Sequence, residues 1–149
     1  KLSHWMEPIF DNLDYLLRKF QPEPPAGAKK TQRRLTPQER IDHLLDTDIL
    51  ELEALTYIRG RSISKQFIII DEAQNLTPHE VKTVVSRAGE GSKIILTGDP
   101  YQIDNPYLDA SSNGLTYAAE RMKELPIHGH VTLHRSERSQ LAAFAAKYL

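Results

Sequence analysis

The chain has 149 residues, 40% apolar and 26% charged, with a formal net charge of −1; this suits one compact domain with a core and excludes wholesale disorder. The absence of cysteine excludes disulfides, thiolate metal sites and cysteine nucleophiles, and no apolar run approaches the ~20 residues of a membrane-spanning helix. Residues 1–70 carry eleven basic and ten acidic side chains and residues 71–149 carry eight and ten, so neither half is a basic arm for a polyanion.

The chain opens at Lys1 without a methionine, and we expect a segment of a longer protein. No signal-peptide pattern is present, which makes a cytoplasmic setting the expectation. Leu2, Trp5, Met6, Ile9, Phe10, Leu13, Leu16, Leu17 and Phe20 recur at helical spacing and predict an amphipathic helix over 2–20, with Pro8 as the candidate break. Residues 21–34, QPEPPAGAKKTQRR, hold three prolines, a glycine and four basic residues and read as a linker. Thr36-Pro37-Gln38-Glu39 is a capping-box pattern and starts a helix that runs through Leu45. Leu50, Leu52, Ala54 and Tyr57 suggest a strand region, followed by the basic turn Arg59-Gly60-Arg61. Phe67 to Ile70 is a continuous apolar run, as in a parallel strand buried on both faces. A second capping box, Thr77-Pro78-His79-Glu80, opens a helix whose face is Val81, Val84, Val85 and Ala88 and which stops at Gly89. Lys93 to Thr97 is a second strand, 115–125 a helix, Val131 to Leu133 a third strand, and a final helix starts near Ser139. Such alternation predicts an α/β fold with a doubly wound, mostly parallel sheet.

In an open parallel sheet, ligands bind beyond the carboxyl ends of the strands. The first strand ends there in Asp71 and Glu72, within FIIIDEAQNLT. Adjacent carboxylates at that position serve nucleotide hydrolases: the first holds the Mg2+ shell, the second orients an attacking water. The next strand, in KIILTGDPYQID, delivers Thr97-Gly98-Asp99 and then Gln102 to the same edge. An amide there is placed to donate to a γ-phosphate oxygen or to hold the hydrolytic water. In LHRSERS, Arg135 and Arg138 precede the last helix, where a guanidinium matches phosphate geometry. Tyr57 with Arg59 and Arg61 combines an aromatic that stacks a base with two cations for backbone phosphates. A purely structural turn, its arginines paired with Glu51 or Glu53, stands beside that reading. The histidines show no convincing ligand spacing.

These stretches, IRGRSI, FIIIDEAQNLTPHEVKTVVSRAGEGSKIILTGDPYQIDNPY, SSNGLTYAAERMK and ERSQLA, resemble the PhoH family of P-loop ATPases. Among them the longer members, with a PIN-type ribonuclease domain ahead of the ATPase, are the most similar. The resemblance covers 1–20 and 48–149 and leaves the linker at 21–35 unmatched. It implies a RecA-like P-loop NTPase core, here incomplete, with residues 1–149 forming the C-terminal portion of one ATPase domain. The family in turn is similar to superfamily 1 helicases, whose late motifs occur in this order. By that resemblance Asp71 is the Walker B aspartate of the metal shell and Glu72 the water-orienting base. Gln74 completes the motif, Gln102 is the γ-phosphate sensor, Arg138 is the arginine that stabilises transferred charge, and Asp71, Gln74, Asp99, Gln102 and Arg138 together form the expected nucleotide-binding set. The LHRSERS stretch departs from the family's more usual Lys-Gly before Glu-Arg-Ser, and Arg135 receives no role. The implied cofactors are ATP and Mg2+. The implied partners are single-stranded RNA, an upstream P-loop segment, a PIN domain and further copies of the chain, with no membrane.

The phosphate loop itself, Gly-x-x-x-x-Gly-Lys-Ser/Thr, is absent: the glycines stand at 27, 60, 89, 91, 98, 114 and 129, and no two are five apart. Two readings follow. In one, the chain is the Walker B, sensor and arginine half of an ATPase acting on RNA, inactive in isolation. In the other, it is a non-catalytic assembly or nucleic-acid-binding segment. A third, a metal-dependent nuclease built from Asp71, Glu72, Asp99 and Asp104, is weaker, since the ATPase pattern explains each carboxylate.

Overall fold

The computed structural model describes residues 3–19, 35–58, 60, 62–134 and 139–148. The chain forms two compact units, Lys1–Ala54 and Leu55–Leu149. The expected linker at 21–34, together with Arg59, Arg61, Arg135 and Arg138, lies outside the described residues.

In the first unit, helix α1 (Ser3–Lys19) packs on helix α2 (Pro37–Asp46). α1 runs without interruption through Pro8. That proline lies in the second turn, so only the carbonyl of residue 4 loses its intrahelical donor. Ile41 is the fully buried side chain of α2. The capping box forms as its spacing predicts: the Thr36 hydroxyl accepts from the Glu39 amide at 3.2 Å and the Glu39 carboxylate accepts from the Thr36 amide at 2.7 Å. Leu16 departs from the expected apolar face and is exposed.

The second unit is a β-α-β unit with one further packed helix. β1 (Phe67–Ile70) and β2 (Lys93–Leu96) pair in parallel, Phe67 with Lys93 through Ile70 with Leu96. Between them lies α3 (Pro78–Val85), whose capping box joins Thr77 and Glu80. Helix α4 (Gly114–Met122) packs on α3, and α5 (Gln140–Tyr148) follows. Ile70, Ala73, Val84 and Ile58 form the buried core, with Ile68, Ile94, Leu96 and Leu115 against it. Side chains alternate across a strand, and here only one face meets the helices. Phe67 and Ile69 point away from this core and are each 62% exposed. The expectation of a strand buried on both faces is therefore corrected: among the described residues nothing covers the second face.

Three further expectations change. Residues 51–54 form no strand, and a 3-10 turn, Leu55–Tyr57, brings Leu55 to the core instead. Val131 and Leu133 are 81% and 87% exposed and belong to no strand: the segment pairs with neither edge of the β1–β2 sheet, so its alternation gains no ladder bonds. α3 ends at Val85 rather than near Gly89, and Ala88 instead forms a parallel bridge with Ile63. α4 also stops three residues earlier than the apolar pattern suggests, as Pro126 disfavours helical backbone at Leu125. The α/β class with a parallel sheet stands.

The start of α4 is anchored beside the sheet edge. Asn113, fully buried, caps it by accepting from the Thr116 amide at 2.9 Å and donating to the carbonyls of Asp109 and Ala110. Hydrogen bonds from Ser111 and Ser112 hold the Asp109 carboxyl well below its ordinary range, lowered to about 2. The Gly114 amide donates to the Leu76 carbonyl at 2.7 Å, a close approach that leaves no room for a side chain: a Cβ there would collide with Val81 and with the carbonyl of Leu76.

Candidate functional site

The carboxyl ends of β1 and β2 bring two loops together. The parallel register continues one step past the strands, since the Thr97 amide donates to the Ile70 carbonyl and the Ala73 amide to the Thr97 carbonyl, each at 2.9 Å. Asp71 thereby stands opposite Thr97. The Thr97 hydroxyl donates to Asp71 Oδ1 at 2.7 Å, and the Glu72 amide donates to the same oxygen at 3.0 Å. Among the described residues, no hydrogen bond engages Asp71 Oδ2. The carboxylate is thus oriented through one oxygen and presents the other, exposed, at the sheet edge. Thr97 carries no assigned role in the sequence reading. Its partnership was nonetheless readable by sliding FIIID against KIILT in parallel.

Glu72 adopts left-handed backbone, φ 53 and ψ 38. A residue with a Cβ is held there at a cost of about 1–3 kcal/mol, and such strain concentrates at functional positions. Three contacts over-determine it here. Its amide bonds Asp71, its carbonyl accepts from the Asn75 amide at 2.9 Å, and its carboxylate accepts from the Gln74 side chain.

Gln74 is completely buried. Besides Glu72, its amide nitrogen donates to the Gln102 carbonyl at 2.9 Å, and its oxygen accepts from the Asp99 amide at 3.2 Å. A buried amide that satisfies donors and acceptors on both loops fixes their separation. Gln74 therefore ties the Asp71-Glu72 turn to the Asp99–Gln102 loop and has no exposed surface for a nucleotide. Asp99 shapes its own loop, accepting from the Tyr101 amide at 3.0 Å and from Gln102 Nε2 at 2.7 Å. Gln102 itself is exposed at the edge. Asp71, Glu72, Gln74, Asp99 and Gln102 are thus assembled in one network. Tyr57 stands apart from it on its 3-10 turn, 69% exposed, and the following turn at Gly60 has φ +85. The four carboxylates of the nuclease alternative do not gather: among the described residues no three His, Asp or Glu side chains form a metal-holding group. No helix among the described residues is long and apolar enough to cross a membrane.

Gly98 makes the junction possible. A Cβ at this position would collide with Gln74 Oε1 and would lie 3.2 Å from Leu115 Cδ2 and 3.3 Å from the Ala73 amide nitrogen. Gly98→Ala is expected to displace Gln74 and lower stability by about 1–3 kcal/mol, the usual penalty of overpacking a filled interior. The urea midpoint measures this, and an unchanged midpoint would show that the junction has slack.

Comparison with known proteins agrees with the motifs. The family model for PhoH, described as PhoH-like protein, matches residues 1–147. Protein PhoH2 of Bacillus subtilis is 56% identical over all 149 residues, and Protein PhoH2 of Mycolicibacterium smegmatis is 37% identical over the same span. A PhoH-like protein of Bacillus subtilis is 36% identical over 123 residues, 83% of this chain. These matches include the 21–35 stretch in the full-span cases. The chain covers 30% of the length of both PhoH2 proteins and 32% of the PhoH-like protein. It belongs to the PhoH family, a family of P-loop NTPases.

Proposed function

We propose that this PhoH-family chain is the C-terminal part of an ATPase domain and supplies the metal-holding and water-activating half of its site. The observation that carries the reading is the paired edge. Asp71, oriented through one oxygen by Thr97 and the Glu72 amide, stands beside Glu72, and Gln74 ties both to the loop of Gln102. Mg2+ on ATP is held by one or two carboxylates together with substrate phosphates, and the second Asp71 oxygen fits that demand. Mg2+ there would neutralise phosphate charge. Glu72 would orient and deprotonate the attacking water, Gln102 would report on the γ-phosphate, and Arg138 would stabilise the charge that develops on transfer.

The phosphate-cradling amides and lysine of a P-loop are absent from these 149 residues, and we assign them to an upstream segment of the parent. Tyr57, Arg59 and Arg61 are proposed to contact single-stranded RNA. The parent is read as a cytoplasmic, helicase-like, homo-oligomeric ATPase with an upstream PIN domain. ATP turnover by the chain alone and by the full-length parent tests the reading. The chain alone is expected to be inactive and the parent active. Robust turnover by the chain alone would overturn the assignment of the cradle, and an inactive parent would overturn the ATPase reading itself.

A further inference from the structure

The two site loops are joined at a second point, beyond Gln74. Asn75 is half-buried at the end of the 3-10 turn that follows Glu72. Its side-chain oxygen accepts from the backbone amides of Asp104 at 2.7 Å and Asn105 at 3.3 Å. Its Nδ2 lies 3.4 Å from Asp104 Oδ2, and the Asn105 side chain donates back to the Asn75 carbonyl at 3.4 Å. The Asn75 amide meanwhile donates to the Glu72 carbonyl. One residue therefore grips the strained backbone of Glu72 on one side and the far end of the Gln102 loop on the other. Gln74 holds the near end of that loop, at Asp99 and Gln102. A loop pinned at one end pivots, whereas one pinned at both ends holds its exposed side chain in a single place.

We propose that Asn75 is a positioning residue that, through Asp104 and Asn105, sets the place of Gln102 relative to Glu72. This inference rests on the hydrolase reading, since Glu72 and Gln102 are the groups it aligns. Its energetic logic is that of preorganisation: small misplacement of reacting groups costs on the order of 10²-fold in rate without equivalent loss of binding.

The experiment is steady-state ATP turnover by the full-length protein carrying Asn75→Ala, Asn75→Asp, and Asn75→Asp combined with Asp104→Asn. Asn75→Ala removes the shared acceptor and is expected to lower kcat roughly 10- to 100-fold, with ATP affinity within about twofold. Asn75→Asp keeps the acceptor but sets two carboxylates against each other, so it loses part of the rate. Adding Asp104→Asn reverses the direction of the side-chain bond, and kcat is expected to return to within about threefold of wild type. Wild-type kcat in Asn75→Ala, or no recovery in the paired exchange, overturns the proposal. Amide hydrogen exchange separates this from failure of the hydrolase reading. If the wild-type protein turns over no ATP, joint loss of protection at Gln102, Asp104 and Asn105 in Asn75→Ala still supports the clasp. Loss confined to Asp104 and Asn105 overturns it.

Discussion

Glu72→Gln in the full-length protein is expected to keep ATP binding and lose hydrolysis, with turnover falling about 10²–10⁴-fold, the usual contribution of a positioned general base. The separation of binding from chemistry follows from the geometry. Asp71 is oriented by Thr97 and by the backbone amide of Glu72, neither of which involves the Glu72 carboxylate. The orientation of Asp71, and with it the metal shell proposed there, is therefore expected to survive the substitution. Glutamine also has the size of glutamate and retains an oxygen that can accept from Gln74. Left-handed backbone at this position is equally strained for both residues, so stability should change little. Single-turnover kinetics beside equilibrium nucleotide binding make the measurement. Unchanged turnover would remove Glu72 from the chemistry. Equal loss of binding and turnover would mean that the carboxylate serves the nucleotide rather than the water.

Arg138→Ala carries the larger expected effect, a loss of roughly 10³–10⁵ in turnover, as for arginine fingers elsewhere. Affinity for ATP should fall far less, because in the proposed role the guanidinium contact would strengthen as charge moves onto the transferring phosphoryl group. Arg138→Lys should restore activity only in part: the charge remains but the planar fork is lost. Arg135→Ala, three residues away and without an assigned role, is the internal control. Side-by-side kinetics of the alanine variants decide the matter. Small and similar effects would place both arginines in solvent. A greater loss at Arg135 would shift the register of LHRSERS and the site with it.

Local chemistry made much of this fold legible. Thr36 and Thr77 each stand three residues before a glutamate with proline between, and both capping boxes form as that spacing demands. The parallel pairing of β1 and β2 follows from two apolar runs separated by one helix, and it carries Asp71 and Thr97 to the same edge. What could not be read depends on partners distant in the chain. Phe67 and Ile69 look like core in the sequence yet are exposed, since burial of a strand's second face requires another layer to pack on it. Val131 to Leu133 has the alternation of a strand, but alternation describes faces and not an available edge. At the site, the apolar run before Asp-Glu-Ala-Gln placed the paired carboxylates at the end of a strand, where the structure has them. The geometry of that turn was less accessible. Nothing in glutamate's preferences announces left-handed backbone at Glu72. Only the folded chain reveals that Gln74 is wholly buried as a tie between loops rather than turned to a ligand.

Asp71 is proposed to hold the metal on which ATP hydrolysis depends. An Mg2+ titration of ATP turnover, in the full-length protein and its Asp71→Asn variant, tests this role most directly. Wild-type turnover is expected to vanish without Mg2+. The half-saturating Mg2+ concentration is expected to rise at least about tenfold in the variant, as when a site loses a carboxylate ligand. The same Mg2+ dependence in both proteins would contradict the role proposed for Asp71.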